Sequence, residues 1–186
     1  MRQAKYGIIL YIFLMLPPVV TLFEFNMTIH MHMQMPLLAA AGMLMYPFLK
    51  QKFPGFFEKY NKNGIPGIIL FLIVVSYWLL PRAMDEALTI PAVEIFKFIS
   101  WPFLVGVPLR DSWSKFSVMG KNVVLGILSI LFVLMAVIYI FSDSQLCNNY
   151  LIVEQITLGW AFGFIALALI IYIVQQFFID HLEYEE

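Results

Sequence analysis

Val123-Val-Leu-Gly-Ile-Leu-Ser-Ile-Leu-Phe-Val-Leu-Met-Ala-Val-Ile-Tyr-Ile-Phe141 runs for 19 residues without a charged side chain. At about 1.5 Å per residue, a helix of that length matches the ~30 Å hydrocarbon core of a bilayer. Its apolar residues are continuous and do not alternate, which argues for a helix and against a strand of a membrane barrel. The whole chain follows suit, with 62% hydrophobic and 12% charged residues, where soluble domains hold about half and about a quarter. A net charge of −1 gives no footing for nucleic acid.

Working outward from residues 123–141, five more apolar segments can be read, at about residues 6–25, 28–49, 66–80, 91–109 and 151–179. The expected fold is therefore an all-α integral membrane protein, a single domain over residues 1–186 built as a six-helix transmembrane bundle. The third segment is short and ends at Pro81, and the sixth is longer than a span needs. Arg2 and Lys5 ahead of an apolar stretch resemble a signal peptide. Pro17-Pro18 and further apolar residues stand where a small-residue cleavage site belongs, so an uncleaved first helix is expected. The single cysteine, Cys147, excludes an intrachain disulfide and the paired thiolates of many metal chaperones.

Positive charge orients the six helices. Arg2 and Lys5, then Lys50, Lys52, Lys59 and Lys62, then Arg110, Lys115 and Lys121 all fall on one side, whereas Arg82 falls on the other. Both termini are thus expected in the cytoplasm, with the acidic tail Glu183–Glu186 and His181 inside.

The orientation places a dense group of soft donors at the outer face. Met27-Thr-Ile-His30-Met31-His32-Met33-Gln34-Met35 holds four of the eleven methionines and two of the three histidines. Thioether and imidazole are ligands that suit copper, the thioether favouring Cu(I). At about 100° per residue, Met27, His30, Met31 and Gln34 share one helix face and His32 lies nearly opposite. Pro36 cannot donate to the His32 carbonyl, which weakens this first turn. The competing reading is that the methionines are flexible apolar filler and the histidines sit among headgroups.

Other polar residues gather on the same side. Glu94 and Lys97 are spaced i, i+3 inside the fourth segment, where an unpaired charge costs on the order of 3 kcal/mol. They pair with each other, or Glu94 faces an outer pocket and Lys97 finds another partner. Asp85 and Glu86 follow the third segment, and Glu154-Gln155 open the sixth. These five acidic and amide residues are candidate supports of an outer polar pocket. Gly159 and Gly163 form a small-xxx-small face suited to close helix packing. No Gly-rich phosphate loop, Ser/His/Asp set or zinc-protease motif is present, so the sequence gives no support for an enzyme.

The succession of these motifs resembles the CtaG family, integral-membrane factors for assembly of caa-type cytochrome c oxidase. That family's early His-Met…His-Met run before leucines is matched by His30-Met31…Gln34-Met35 and Leu37-Leu38. Its Trp-x-Leu-Pro stretch followed by Asp and Ala-Leu is matched by Trp78-Leu-Leu-Pro81 and Asp85-Glu86-Ala87-Leu88, and its internal Glu by Glu94. Its final-helix Asp-Gln and Gly correspond to Glu154-Gln155 and Gly159. The chain departs from the pattern at Gln34 and Ile95, where the family has His, and at Phe162, where it has Met.

The resemblance implies a membrane assembly factor that passes copper to a cytochrome oxidase or similar cuproenzyme. The expected metal donors are His30, Met31 and Met27, with His32, Met33, Met35 and Gln34 beside them. Membrane lipid and an oxidase subunit are the expected partners. Two other readings stand alongside: a non-catalytic accessory subunit of a respiratory complex, and a proton or small-solute transporter using Glu94, Lys97 and Glu154.

Overall fold

The computed structural model describes residues 2–183, with side chains through residue 178. His181 and the acidic tail lie outside the described side chains. The described chain is all-helical, with no strand among the described residues. Nine helices follow in order: α1 (Arg2–Leu14), α2 (Pro17–Glu24), α3 (residues 27–52), α4 (Pro54–Tyr60), α5 (Ile65–Leu79), α6 (Pro81–Thr89), α7 (Pro91–Trp113), α8 (Val118–Phe141) and α9 (Ile152–Glu183).

Three stretches are long and apolar enough to cross a membrane: Pro91–Trp113, Val118–Phe141 and Ile152–Phe178. The count reaches five if α1 with α2, and α4 with α5, each form one broken span. Helix α3 is continuous, but His30, His32 and Gln34 dilute its apolar character. The uninterrupted first helix over residues 6–25 is not observed: α1 and α2 meet at 73°. Pro17-Pro18 supply the cause. Leu16 is extended (φ −65°, ψ 129°), as steric conflict with a following proline ring favours. Two short helices, α4 and α6, also occupy stretches read as loops.

Proline sets most of the helix starts. Pro17, Pro54, Pro66, Pro81 and Pro91 each stand at the first turn of a helix, where the missing N–H has no partner to lose. Inside helices, prolines widen the turn instead. In α3 the Met35 N–H reaches back five residues to the His30 carbonyl, and in α7 the Val107 N–H reaches the Pro102 carbonyl. Each π turn, His30–Gln34 and Trp101–Gly106, ends two residues before a proline, Pro36 and Pro108. The proline ring conflicts with the carbonyl four residues back, and widening the turn relieves it.

Helices α3 and α7 cross backbone to backbone. A Cβ at Gly42 would fall on the Pro102 backbone, and one at Gly106 on the Ala39 backbone. Helix α1 lies along α3, with Gly7 against Ala41 and Met45. Helices α8 and α9 pair closely, Gly159 facing Tyr139 and Ile140 and Gly163 facing Ala136, so both glycines serve packing. Gly64, at φ +80°, makes the tight turn into α5 that a side chain would strain.

The contacts define two polar ends. At one, Asp111 accepts hydrogen bonds from Tyr46 (2.6 Å), Asn61 (2.6 Å) and Lys115 (2.6 Å), and Asn61 also reaches Ser112 (2.8 Å). At the other lie Glu24, Asn26, His30, Lys97, Tyr150 and Glu154.

Candidate functional site

The start of α3 is built by Asn26. Its side-chain oxygen accepts from the Thr28 and Ile29 amides (3.0 and 3.2 Å), satisfying donors that a helix start leaves open. Its amide nitrogen donates to Glu154 Oε1 at 2.6 Å. The other Glu154 oxygen accepts from the Leu151 amide (3.1 Å), so this carboxylate joins the starts of α3 and α9.

One turn into α3, His30 is fully buried. Its Nδ1 lies 2.9 Å from the Tyr150 hydroxyl and its Nε2 3.3 Å from the Lys97 ammonium. Lys97, also fully buried, forms its ion pair with Glu24. Tyr150 donates its single proton to the Glu24 carbonyl at 3.0 Å. The phenol must then accept from His30, which puts the imidazole proton on Nδ1. The Nε2 lone pair is left facing the Lys97 donor. Both ring nitrogens of His30 are engaged, and a cation already stands beside the one with a lone pair.

His32 is different. It is half-buried, its ring lies 4.6 Å from that of Phe162, and neither nitrogen has a hydrogen-bond partner. The Thr28 carbonyl, one turn back, faces it without closing a bond. His32 lines a cavity of about 380 Å³ with Met31, Met35, Met43 and Trp101. The Trp101 Nε1 is likewise unpartnered.

The remaining cluster members separate further. Met27 is fully buried, Met33 is 51% exposed, and Gln34 is fully buried with both amide atoms unpartnered. The predicted inward face of Met27, His30, Met31 and Gln34 is thus buried as expected, with Met35 added to it. His30 and His32 contact different elements, the first Lys97 and Tyr150, the second Phe162.

The five supporting residues do not form one pocket. Asp85 accepts from the Asn148 side chain (2.9 Å) and from the Asn149 backbone and side chain (3.1 and 2.8 Å). Burial raises the Asp85 carboxyl, but these amides outweigh it and hold the group below its ordinary range. Glu86 pairs with the exposed Arg82 at 2.7 Å. Glu94 is half-buried, and Lys97 pairs with Glu24 instead of with it. Gln155 accepts from the Leu146 amide (2.8 Å) and fixes the loop before α9. Cys147 is buried against the Pro81 carbonyl (3.6 Å), and burial pushes its thiol up to about 12. Among the described residues, no three His, Cys, Asp or Glu side chains group as a metal site.

Sequence reasoning missed Glu24, Asn26 and Tyr150. Glu24 carried a readable signal: it is the one carboxylate within the first apolar run, at the same end as Lys97. Tyr150 carried none, since its role depends on a contact 120 residues away. Comparison with protein-family models, curated proteins and solved structures finds no match.

Proposed function

We propose that this chain is a six-span plasma-membrane protein of a prokaryote, CtaG-like, that holds copper(I) for transfer to a cytochrome oxidase or another membrane cuproenzyme. The donor set is Met31, Met35 and His32, and the protein is not a catalyst. One observation carries this reading: an imidazole with no partner for either nitrogen opens on a mainly apolar cavity whose wall includes Met31, Met35 and Met43. Thioether and neutral imidazole suit a soft monovalent ion, and the thioethers need no deprotonation to bind or release it. His30 is assigned instead to the Lys97, Glu24 and Tyr150 network. Met33, exposed on the same turn, offers a thioether to a client for ligand exchange.

Six crossings accord with the contacts. Gly7 sits beside Met45, Gly67 beside Ser112, and Trp78 beside Ser100, so α1 runs antiparallel to α3 and α5 to α7, which supports this reading. The Asp111 end is also the end rich in lysine, which supports cytoplasmic termini.

The test is Cu(I) binding by protein purified without an affinity-tag histidine. Wild type and His30→Gln bind one ion, whereas His32→Ala combined with Met31→Leu and Met35→Leu binds none. Absence of Cu(I) from wild type, or full binding by the triple variant, overturns the proposal.

A further inference from the structure

At the Asp111 end, α3, the end of α7 and the start of α8 enclose a second cavity, of about 610 Å³. Lys50, Arg110 and Lys121 line it, together with Tyr46, Trp113 and Ser114. No acidic residue lines it. Asp111, the nearest carboxylate in sequence, is fully buried behind the wall and already holds Lys115 at 2.6 Å. Lys50 approaches it only at 3.8 Å, with half its side chain exposed. Arg110 and Lys121 form no ion pair among the described residues.

Trp113 marks the depth of this cavity. Lys121 stands over the Trp113 ring at 5.9 Å and Lys50 over the Tyr46 ring at 5.5 Å. Tryptophan is enriched at headgroup level in membrane proteins, and Trp113 borders this cavity, while the buried Tyr46 turns its hydroxyl inward to Asp111 at 2.6 Å. Three cations line the cavity beside one buried carboxylate, Asp111, which Lys115 (2.6 Å) and Lys50 (3.8 Å) both approach, so the site keeps a net positive charge between helices. Basic pockets of this kind complement the phosphate of an anionic lipid.

We propose that this cavity is a binding site for the phosphodiester headgroup of an anionic phospholipid. Lys50, Arg110 and Lys121 supply the charge, while the Ser114 hydroxyl already donates to the Asp111 carbonyl at 3.2 Å. Arg110 presents the planar fork that fits two phosphate oxygens at once. The site lies at the opposite end of the bundle from His32 and does not depend on the copper reading.

Native mass spectrometry of the full chain, released from nanodiscs containing equal phosphatidylglycerol and phosphatidylcholine, tests this. Wild type retains phosphatidylglycerol in preference to phosphatidylcholine. Each cation lost weakens that preference about fivefold, so Arg110→Gln with Lys121→Gln weakens it about 25-fold. Lys59→Gln with Lys62→Gln removes the same charge outside the cavity and leaves the preference unchanged. Lys121→Gln alone, at a partly exposed position, provides the reading if the double variant unfolds. Equal retention of the two lipids overturns the proposal, as does an equal effect of the two double variants. Displacement of the lipid by millimolar inorganic phosphate assigns the site to a free anion and also overturns it.

Discussion

Breaking the ion pair between Lys97 and Glu24 from either side should destabilise the protein unequally, and removing both partners should largely restore it. The Lys97 side chain is 0% exposed and that of Glu24 is 16% exposed. Replacing Glu24 with Leu leaves an ammonium with no route to water, which costs about 3–5 kcal/mol. Replacing Lys97 with Met leaves a carboxylate at the margin of the bundle and a His30 nitrogen without its donor, together about 2–3 kcal/mol. The double variant removes both charges and keeps only the His30 loss, about 1 kcal/mol. The coupling between the two sites is therefore about 4–7 kcal/mol. For a chain of this size, 1 kcal/mol moves the melting temperature by about 2–4 °C. Thermal unfolding in detergent, followed by the fluorescence of the four tryptophans, should place Glu24→Leu about 6–20 °C below wild type and the double variant within ~4 °C of it. Glu94→Gln is the control, since an i, i+3 pair with Lys97 is the alternative partner; it should change stability by less than ~0.5 kcal/mol. Additive single effects, or a loss on Glu94→Gln as large as on Glu24→Leu, would refute the assignment.

Gly42→Ala drives a methyl group into the Pro102 backbone and should cost at least ~2 kcal/mol in the same assay. Gly126→Ala meets no atom within 4 Å and should gain about 0.5–1 kcal/mol from lost backbone freedom; equal effects at the two positions would contradict the close crossing of α3 and α7. With its thiol pushed up to about 12 by burial, Cys147 in intact micelles should react with maleimide at pH 8 roughly a thousandfold more slowly than after denaturation in SDS. Rapid labelling of the native protein would show that the loop before α9 is open.

Helix content was legible because apolar runs too long for a buried strand need internal hydrogen bonds wherever they lie in lipid. The break between α1 and α2 was half legible. Pro17-Pro18 marked the place, but a proline pair can kink a helix, start a new one or sit in a widened turn. Pro36 and Pro108 were absorbed by π turns, whereas Pro17 produced a 73° bend. The difference lies in what holds the helix on either side. Around Pro108, α7 is clamped at Gly106 by Ala39, so the chain keeps its axis and widens its turn. Around Pro17, Leu16 and Phe25 are exposed, and packing does not resist the bend.

The inward face of α3 was legible for a related reason. The π turn changes the rotation per residue only slightly over five residues, so Met27, His30, Met31 and Gln34 remain on the buried side. Which of the two histidines keeps both ring nitrogens unpartnered was not legible. That depends on one proton. Tyr150 spends its only hydroxyl hydrogen on the Glu24 carbonyl, so it must accept from His30, and the other His30 nitrogen then meets Lys97. Local sequence around residue 30 contains neither partner. The same long-range contacts that close His30 leave His32 against Phe162. A sulfur at that position would complete the set formed by Met31, Met35 and His32. Phe162→Met should therefore tighten Cu(I) binding if the cavity is the site, and weakened or unchanged affinity in that variant would argue that the aromatic wall serves packing alone.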